Sequence, residues 1–380
     1  MPSTEEAAAR RPALRLRLAA ALRRDPVLAA LALLTPLLLL LAPLPARDWL
    51  RLPDWSTLEA LAGLLVLTRA IEHSGYLQHA AILIVDRIRS LRGLALALAS
   101  LSAALSTVLT NDVTLFLVVP LTVSIARVAA VPLSRLVIFE ALAVNAGSML
   151  TPVGNPQNLF LWHRSGLGMP AFIAQMLPAT ALLFALLCAA IFLAFPRRPV
   201  QLRLDEASAR RDIGLLAFGA LGLALFLLAL HVHWALPAAV AVVVLAAGFA
   251  RRALAEADWS LLAVIALMFL ALGALAALPP VAAVLARLPL AQAWAAYWSG
   301  VIVAQGISNV PAAILLARDG VALPALAYGV NVGGFGLAIG SLANLIALRL
   351  AGGGAIYREF HRISLPFLLI AAVAVYALLP

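Results

Sequence analysis

Long apolar runs alternate with short charged connectors along the whole chain. The runs cover roughly 27–45, 57–85, 93–126, 133–163, 170–195, 213–231, 235–250, 259–286, 288–317, 320–348 and 363–380. A helix needs about 20 apolar residues to cross a bilayer, so the pattern predicts a bundle of membrane helices. The stretch 213–250 has no Asp, Glu, Arg or Lys and is too long for one span. His231, His233 and Trp234 mark a polar turn that divides it. Run 93–126 would extend about 51 Å as one helix, against a hydrocarbon core of about 30 Å. Its centre reads Leu109-Thr110-Asn111-Asp112-Val113-Thr114. Run 288–317 is interrupted in the same way at Gln305-Gly306-Ile307-Ser308-Asn309-Val310-Pro311. Both are expected to be re-entrant helical hairpins with polar tips, a form tolerated at membrane depth only when buried in protein or lining a wet cavity.

Composition narrows the class. Hydrophobic residues make up 64% of the 380, charged residues 12%, and the mean hydropathy is +1.04. Soluble domains run near half apolar and a quarter charged, so a soluble enzyme, a disordered chain and a fibrous protein are excluded. The net charge is +10 and all 27 basic residues are Arg. A chain this apolar has no soluble face for nucleic acid, so the Arg excess is read as an orientation signal. With the N-terminus inside and both hairpins re-entrant, 21 Arg fall inside, five outside, and Arg69 lies within a span. The expected organisation is an Arg-rich cytoplasmic N-terminus (1–26) and a first membrane repeat (27–195) with hairpin 93–126 and broken helix 133–163. A cytoplasmic linker (196–212), a connecting span (213–231) and a second, inverted repeat (235–380) with hairpin 288–317 and broken helix 320–348 follow. No small-residue cleavage site closes the first run, which is therefore expected to be a membrane helix and not a signal peptide. The single Cys188 lies in an apolar run and permits no disulfide within one chain.

The repeat is visible in the residues. At a constant offset of 186, Val144, Asn145, Gly147, Gly154, Asn158 and Leu159 recur as Val330, Asn331, Gly333, Gly340, Asn344 and Leu345. The tip Thr110-Asn111 matches Ser308-Asn309 at offset 198, and Asp54-Trp55-Ser56 matches Asp258-Trp259-Ser260. The fold class expected is an all-α polytopic membrane protein built on an inverted structural repeat, with two re-entrant hairpins and two broken transmembrane helices, as in many secondary transporters.

The breaks carry the chemistry. Pro152, Gly154 and Pro156 disrupt a regular helix and free backbone carbonyls and amides. The side chains of Thr110, Asn111, Asp112, Thr114, Asn155, Asn158, Ser308, Asn309, Ser341 and Asn344 are the candidate substrate ligands. Asn111, Gly154, Asn309 and Gly340 are candidates for a Na⁺ site, since unwound carbonyls suit the cation while helix N-termini suit an anion. Asp112 has two readings, a cation- or proton-binding carboxylate or the N-cap of the following helix. Arg69 and Glu72 are placed for a structural i,i+3 pair. Glu140, five residues after Arg135, is read as either intramembrane or reaching the interface. Gly336 to Gly340 also fits the GxxxG packing motif. No HExxH, GxSxG, Walker A or paired-Cys pattern occurs, so no enzyme is expected.

These same strings, Thr110 to Thr114, Gly154-Asn155-Pro156-Gln157-Asn158, Ser308-Asn309 and Gly340 to Asn344, resemble the ion transporter superfamily. Within it the chain is similar to bacterial permeases with a citrate-transporter-like domain, relatives of arsenite permeases and divalent anion:sodium symporters. The resemblance covers about residues 55–380. It implies a multi-pass, often homodimeric protein of the bacterial cytoplasmic (inner) membrane with a cytoplasmic N-terminus, moving a small inorganic or organic anion with Na⁺ or H⁺. No cofactor beyond the coupling ion is implied, and the partners are the substrate and the lipid bilayer. The tips here are Thr110-Asn111-Asp112 and Ser308-Asn309-Val310, where dicarboxylate symporters of the group show Ser-Asn-Thr. Asp112 would repel a dicarboxylate, which leaves an arsenite-type efflux permease and a cation/proton antiporter as alternatives.

Overall fold

A computed structural model describes residues 26–53, 55–88, 90–200, 211–231 and 234–379. The expected N-terminal segment up to residue 25, residues 201–210 of the linker, and His233 of the polar turn lie outside the described residues. Among the described residues the chain is helical and has no strand, only isolated bridge residues at Ser90, paired with Pro199, and at Ala129.

In chain order, α1 (Pro26–Leu41) leads to α2 (Trp55–His73), α3 (Tyr76–Arg87), α4 (Leu91–Val108) and α5 (Asn111–Val128). Next come α6 (Leu133–Ser148), α7 (Pro156–Ser165), α8 (Met169–Ala194) and α9 (Ile213–His231). Then follow α10 (Ala235–Phe249), α11 (Arg251–Glu256), α12 (Trp259–Ala277) and α13 (Pro279–Ala286). The second hairpin is α14 (Ala293–Ile307) and α15 (Asn309–Leu316), followed by α16 (Leu323–Gly333), α17 (Leu342–Leu350) and α18 (Ile356–Tyr376). Helices α4, α5, α8, α12 and α18 are long and apolar enough to cross a membrane, and α1, α9 and α10 contain shorter apolar stretches. The protein is an all-α polytopic membrane protein.

Two runs expected as single helices are divided. Run 57–85 breaks between α2 and α3 at Ser74-Gly75, where Gly75 takes φ +77°, a conformation costly for any residue with a Cβ. Run 259–286 breaks between α12 and α13 at Leu278-Pro279, since proline cannot donate into the preceding turn. The two breaks extend the internal correspondence. Helices α2 and α12 are each 19 residues long. Each starts on a Trp whose indole N–H donates to a carbonyl five residues back, Trp55 to Leu50 at 2.8 Å and Trp259 to Leu254 at 3.0 Å.

The hairpins are unequal. Helices α4 and α5 have 18 residues each, whereas α15 has 8 against 15 for α14. In both halves the first hairpin arm lies tightly on the helix before the break, and glycine makes this contact. A Cβ on Gly147 of α6 would lie 2.1 Å from the Ala103 carbonyl of α4, and one on Gly329 of α16 would lie 2.2 Å from the Tyr297 carbonyl of α14.

Several arginine-bearing connectors gather at one end of α8. Leu91 donates its backbone N–H to Arg198 at 2.9 Å, Arg92 donates to Phe195 at 2.8 Å, and Arg135 donates to Ala194 at 3.3 Å and pairs with Glu359 at 3.4 Å. Connectors around 90, 133, 197 and 357 thus meet at the C-terminus of α8. Arg164, beyond the opposite end of α8, pairs with Asp319 at 3.0 Å. The Arg69–Glu72 pair forms at 2.5 Å. Glu140 does not reach the interface. It is 1% exposed and accepts a hydrogen bond from Thr122 of α5, because α6 is enclosed on all sides from Leu136 to Met149.

Candidate functional site

The first tip is capped by Thr110, whose hydroxyl accepts from Val113 N at 3.5 Å. Asp112 is therefore not the N-cap of α5, contrary to one of its two readings. It sits half-buried in the first turn, where a carboxylate is favoured by the helix dipole. Asn111 turns its own Oδ1 onto Asp112 N at 2.9 Å, and its backbone N–H donates to the Gly154 carbonyl at 2.9 Å. The first hairpin tip is thereby bonded to the first break. Thr151 completes this junction, donating to the Thr107 carbonyl at 2.7 Å and accepting from Gly154 N at 3.1 Å.

The second tip is strained. Ser308 has φ 69° and ψ 157°, a region populated essentially by glycine that costs of order 1–3 kcal/mol. Asn309 begins α15 next to it, with its Nδ2 3.1 Å from where a Cβ on Gly334 would stand. The second break is held by Gln305 of α14, which donates to the Gly333 carbonyl at 2.6 Å and accepts from Leu337 N at 2.7 Å. Gly336 and Gly340 both leave space for this Gln305 side chain. They lie after α16 in a bend and a single 3₁₀ turn (Ala338–Gly340), so the Gly336 to Gly340 pattern is not an α-helix packing motif here. His361 and Ser364 of α18 close the break from the other side, through Ala338 N at 3.1 Å and the Gly336 carbonyl at 2.8 Å.

Asparagines join the two breaks by reciprocal bonds. Asn145 Nδ2 donates to Asn344 Oδ1 at 2.8 Å; its counterpart Asn331 Nδ2 donates to Asn158 Oδ1 at 2.7 Å. Ser341 Oγ donates to Asn145 Oδ1 at 3.0 Å, and its counterpart Asn155 Nδ2 donates to Asn331 Oδ1 at 3.0 Å. Each pair exchanges into the other when 186 is added to one residue number and subtracted from the other, which is how a two-fold relation maps its contacts. Asn344 Nδ2 then closes on the Gly334 carbonyl at 2.8 Å, and Asn158 Nδ2 on the Met149 carbonyl at 2.7 Å.

The expected site residues fall into two groups. Asn155, Asn158, Ser341 and Asn344 spend their polar atoms within the protein, and at 0–1% exposure they form a buried brace. Ser308 and Asn309 make no side-chain hydrogen bond among the described residues, the Asn111 amide nitrogen makes none, and the Thr114 hydroxyl is buried without a partner. Gln157 Oε1 is likewise buried and unbonded. These groups at the tips are the ones available to a ligand. For the expected Na⁺ ligands, Asn111 and Gly154 are bonded to each other, whereas Gly340 faces Gly333 and Gln305, and Asn309 lies beside Gly334. Three members of the brace, Asn145, Asn331 and Gln305, were absent from the expected ligand set. The first two were already marked by the repeat, as its identical Asn; Gln305 had no signal beyond its place before the second tip.

Helix N-termini of α5, α7, α15 and α17 all begin at this network, each presenting its positive dipole end. The bonded groups are amides, hydroxyls, backbone and the His361 imidazole, and Asp112 is the one charged side chain at either tip among the described residues.

The sequence profile of a citrate transporter family matches residues 17–319. The chain is 42% identical to the inner membrane protein YbiR of Escherichia coli over 348 residues, covering 89% of this chain and 91% of that one. It is 31% identical to an uncharacterized transporter of Methanocaldococcus jannaschii over 331 residues, 83% of this chain and 87% of the other. A shorter stretch of 126 residues, 33% of this chain and 26% of the relative, is 27% identical to the silicon efflux transporter LSI3 of Oryza sativa. The profile match over most of the chain and these relatives place the chain in the citrate transporter family, as a multi-pass membrane transporter and not an enzyme.

Proposed function

We propose that the protein is a secondary active transporter that moves a small inorganic or organic anion across the cytoplasmic membrane, coupled to Na⁺ or H⁺. The observation that carries this reading is the meeting of two polar hairpin tips and two broken segments in a buried network joined by Asn145–Asn344 and Asn331–Asn158. The reciprocal bonds support an inverted repeat, the architecture in which half-helix N-termini face an anionic group while free carbonyls hold the coupling ion. The expected ligands are the tip groups of Asn111, Thr114, Ser308 and Asn309, with the asparagine brace fixing their positions. The inner-membrane designation of the E. coli relative supports the same membrane here.

One observation favours a second reading. The network offers neutral donors, and its one carboxylate, Asp112, opposes a multiply charged anion unless a cation or proton accompanies it. A weak oxyacid carrying little charge meets no such penalty, which favours an efflux permease of the arsenite or silicate type. The partial similarity to a silicon efflux transporter points the same way.

Proteoliposomes decide between these. Uptake of citrate, arsenite and silicate is measured with imposed Na⁺ or proton gradients. Gradient-driven flux of any one of them, lost in Asn111→Ala and Asn309→Ala variants that still express and purify, is the expected result. Absence of gradient-driven flux for every candidate anion would overturn the proposal. Collapse of a proton gradient on adding Na⁺ alone would indicate a cation/proton antiporter.

A further inference from the structure

One charged feature plays no part in the network above. Where the C-terminus of α8 meets the first turns of α6 and α18, a cleft of about 610 Å³ opens to the surface between Arg135, Arg358, Arg362 and Leu193. Arg135 is committed, to the Ala194 carbonyl and to Glu359. Arg358 and Arg362 are four residues apart on α18 and exposed, and their side chains make no ion pair or hydrogen bond among the described residues. Arg135 and Glu359 neutralise each other, so among the described residues the cleft keeps two uncompensated guanidinium groups.

The surface below the cleft is apolar. Leu193 of α8 is 90% exposed, and on α18 Leu369 and Val373 are 69% and 65% exposed. Arg358, Arg362, Leu365, Leu369 and Val373 follow at steps of three and four, which places them on one face of α18. A guanidinium pair thus stands above an exposed apolar strip, at the end of a helix long enough to cross a membrane.

We propose that this cleft binds the headgroup of an anionic phospholipid, with the phosphate between Arg358 and Arg362 and an acyl chain along Leu193 and Leu369. Guanidinium forks match a phosphate with paired hydrogen bonds, and basic pockets between membrane helices are suited to anionic lipid headgroups. A soluble anion would use the arginines but gain nothing from the apolar strip. The proposal is independent of the transported substrate.

Native mass spectrometry of the full, delipidated protein tests it. Phosphatidylglycerol, phosphatidylcholine of the same chains, and inorganic phosphate are added in separate arms. The wild type should retain phosphatidylglycerol over phosphatidylcholine by roughly tenfold or more, the scale expected for two arginines at an anionic surface. The Arg358→Gln/Arg362→Gln variant should lose that preference, while Arg47→Gln/Arg51→Gln, remote from the cleft, should keep it. Equal retention of the two lipids by the wild type would overturn the proposal, and this comparison holds even if the double variant fails to fold. A folded double variant with the wild-type preference would overturn it too, as would displacement of phosphatidylglycerol by equimolar inorganic phosphate.

Discussion

At the scale of single residues, most conspicuous polar groups in the breaks are structural braces, and the available ligands sit at the tips. Asn145 donates both amide hydrogens and accepts from Ser341, so its side chain is committed within the protein. Removing either partner of a buried bond leaves the other unsatisfied, at about 1–3 kcal/mol. Asn145→Ala and Asn344→Ala should each lower stability by that amount. The double variant should lose less than the sum, with a coupling of about 0.5–3 kcal/mol in thermal or chemical unfolding; additive losses would mean that the bond contributes nothing of its own. Thr110 and Asp112 separate in the same way. Thr110→Ala should cost about 1 kcal/mol through loss of the α5 cap. Asp112→Asn should leave the melting temperature nearly unchanged but shift the pH or Na⁺ dependence of transport. An unaltered coupling profile would leave Asp112 with a dipole role only.

At the scale of elements, each half holds a helical hairpin against a broken helix, and backbone geometry decides how closely. Gly147 touches the Ala103 carbonyl where no Cβ fits. Gly147→Ala must push α4 off α6 and with it move Thr107, which anchors Thr151. The variant should show loss of transport together with a marked drop in melting temperature; wild-type values for both would mean that the two helices slide freely. Ser308 marks the opposite case, a position where a side chain is present although the backbone favours glycine. Ser308→Gly should raise the melting temperature, by relief of about 1–3 kcal/mol. Reduced transport in that stabilised variant would assign the strain, or the hydroxyl, to function.

At the scale of the whole molecule, the ends are distinguished by charge. Arg92, Arg135 and Arg198 gather around the C-terminus of α8, and Arg164 pairs with Asp319 beyond its N-terminus. If the positive-inside rule orients the chain, these groups face opposite sides of the membrane. In a Cys188→Ser background, cysteines replacing Arg358 and Asp319 should be labelled by a membrane-impermeant maleimide from opposite faces, Asp319→Cys from outside intact cells and Arg358→Cys only after permeabilisation. Labelling of both from one side would contradict the topology expected from the Arg distribution. The arginines around Arg358 then lie at the leaflet rich in anionic lipid, where the proposed headgroup cleft would operate.

Much of this was legible in the sequence because membrane solvation acts on every residue alike. Apolar run length, the Arg asymmetry and the repeat at offset 186 needed no knowledge of contacts, and they indicated the helical membrane class, the two polar tips and the two broken segments. The divisions at Ser74-Gly75 and Leu278-Pro279 were also written there, as a Gly and a Pro-Pro, but both lie inside runs whose average hydropathy reads as continuous. The fates of individual polar side chains were not legible. Whether Asn155 is spent on Asn331 or free for a ligand, and whether Glu140 reaches water or Thr122, depends on residues more than a dozen positions away in the chain. Composition and periodicity determined that polar groups would be buried; only the tertiary structure decided which of them bond to each other, because a hydrogen bond is satisfied at about 3 Å and no local pattern specifies that distance across two halves of a fold.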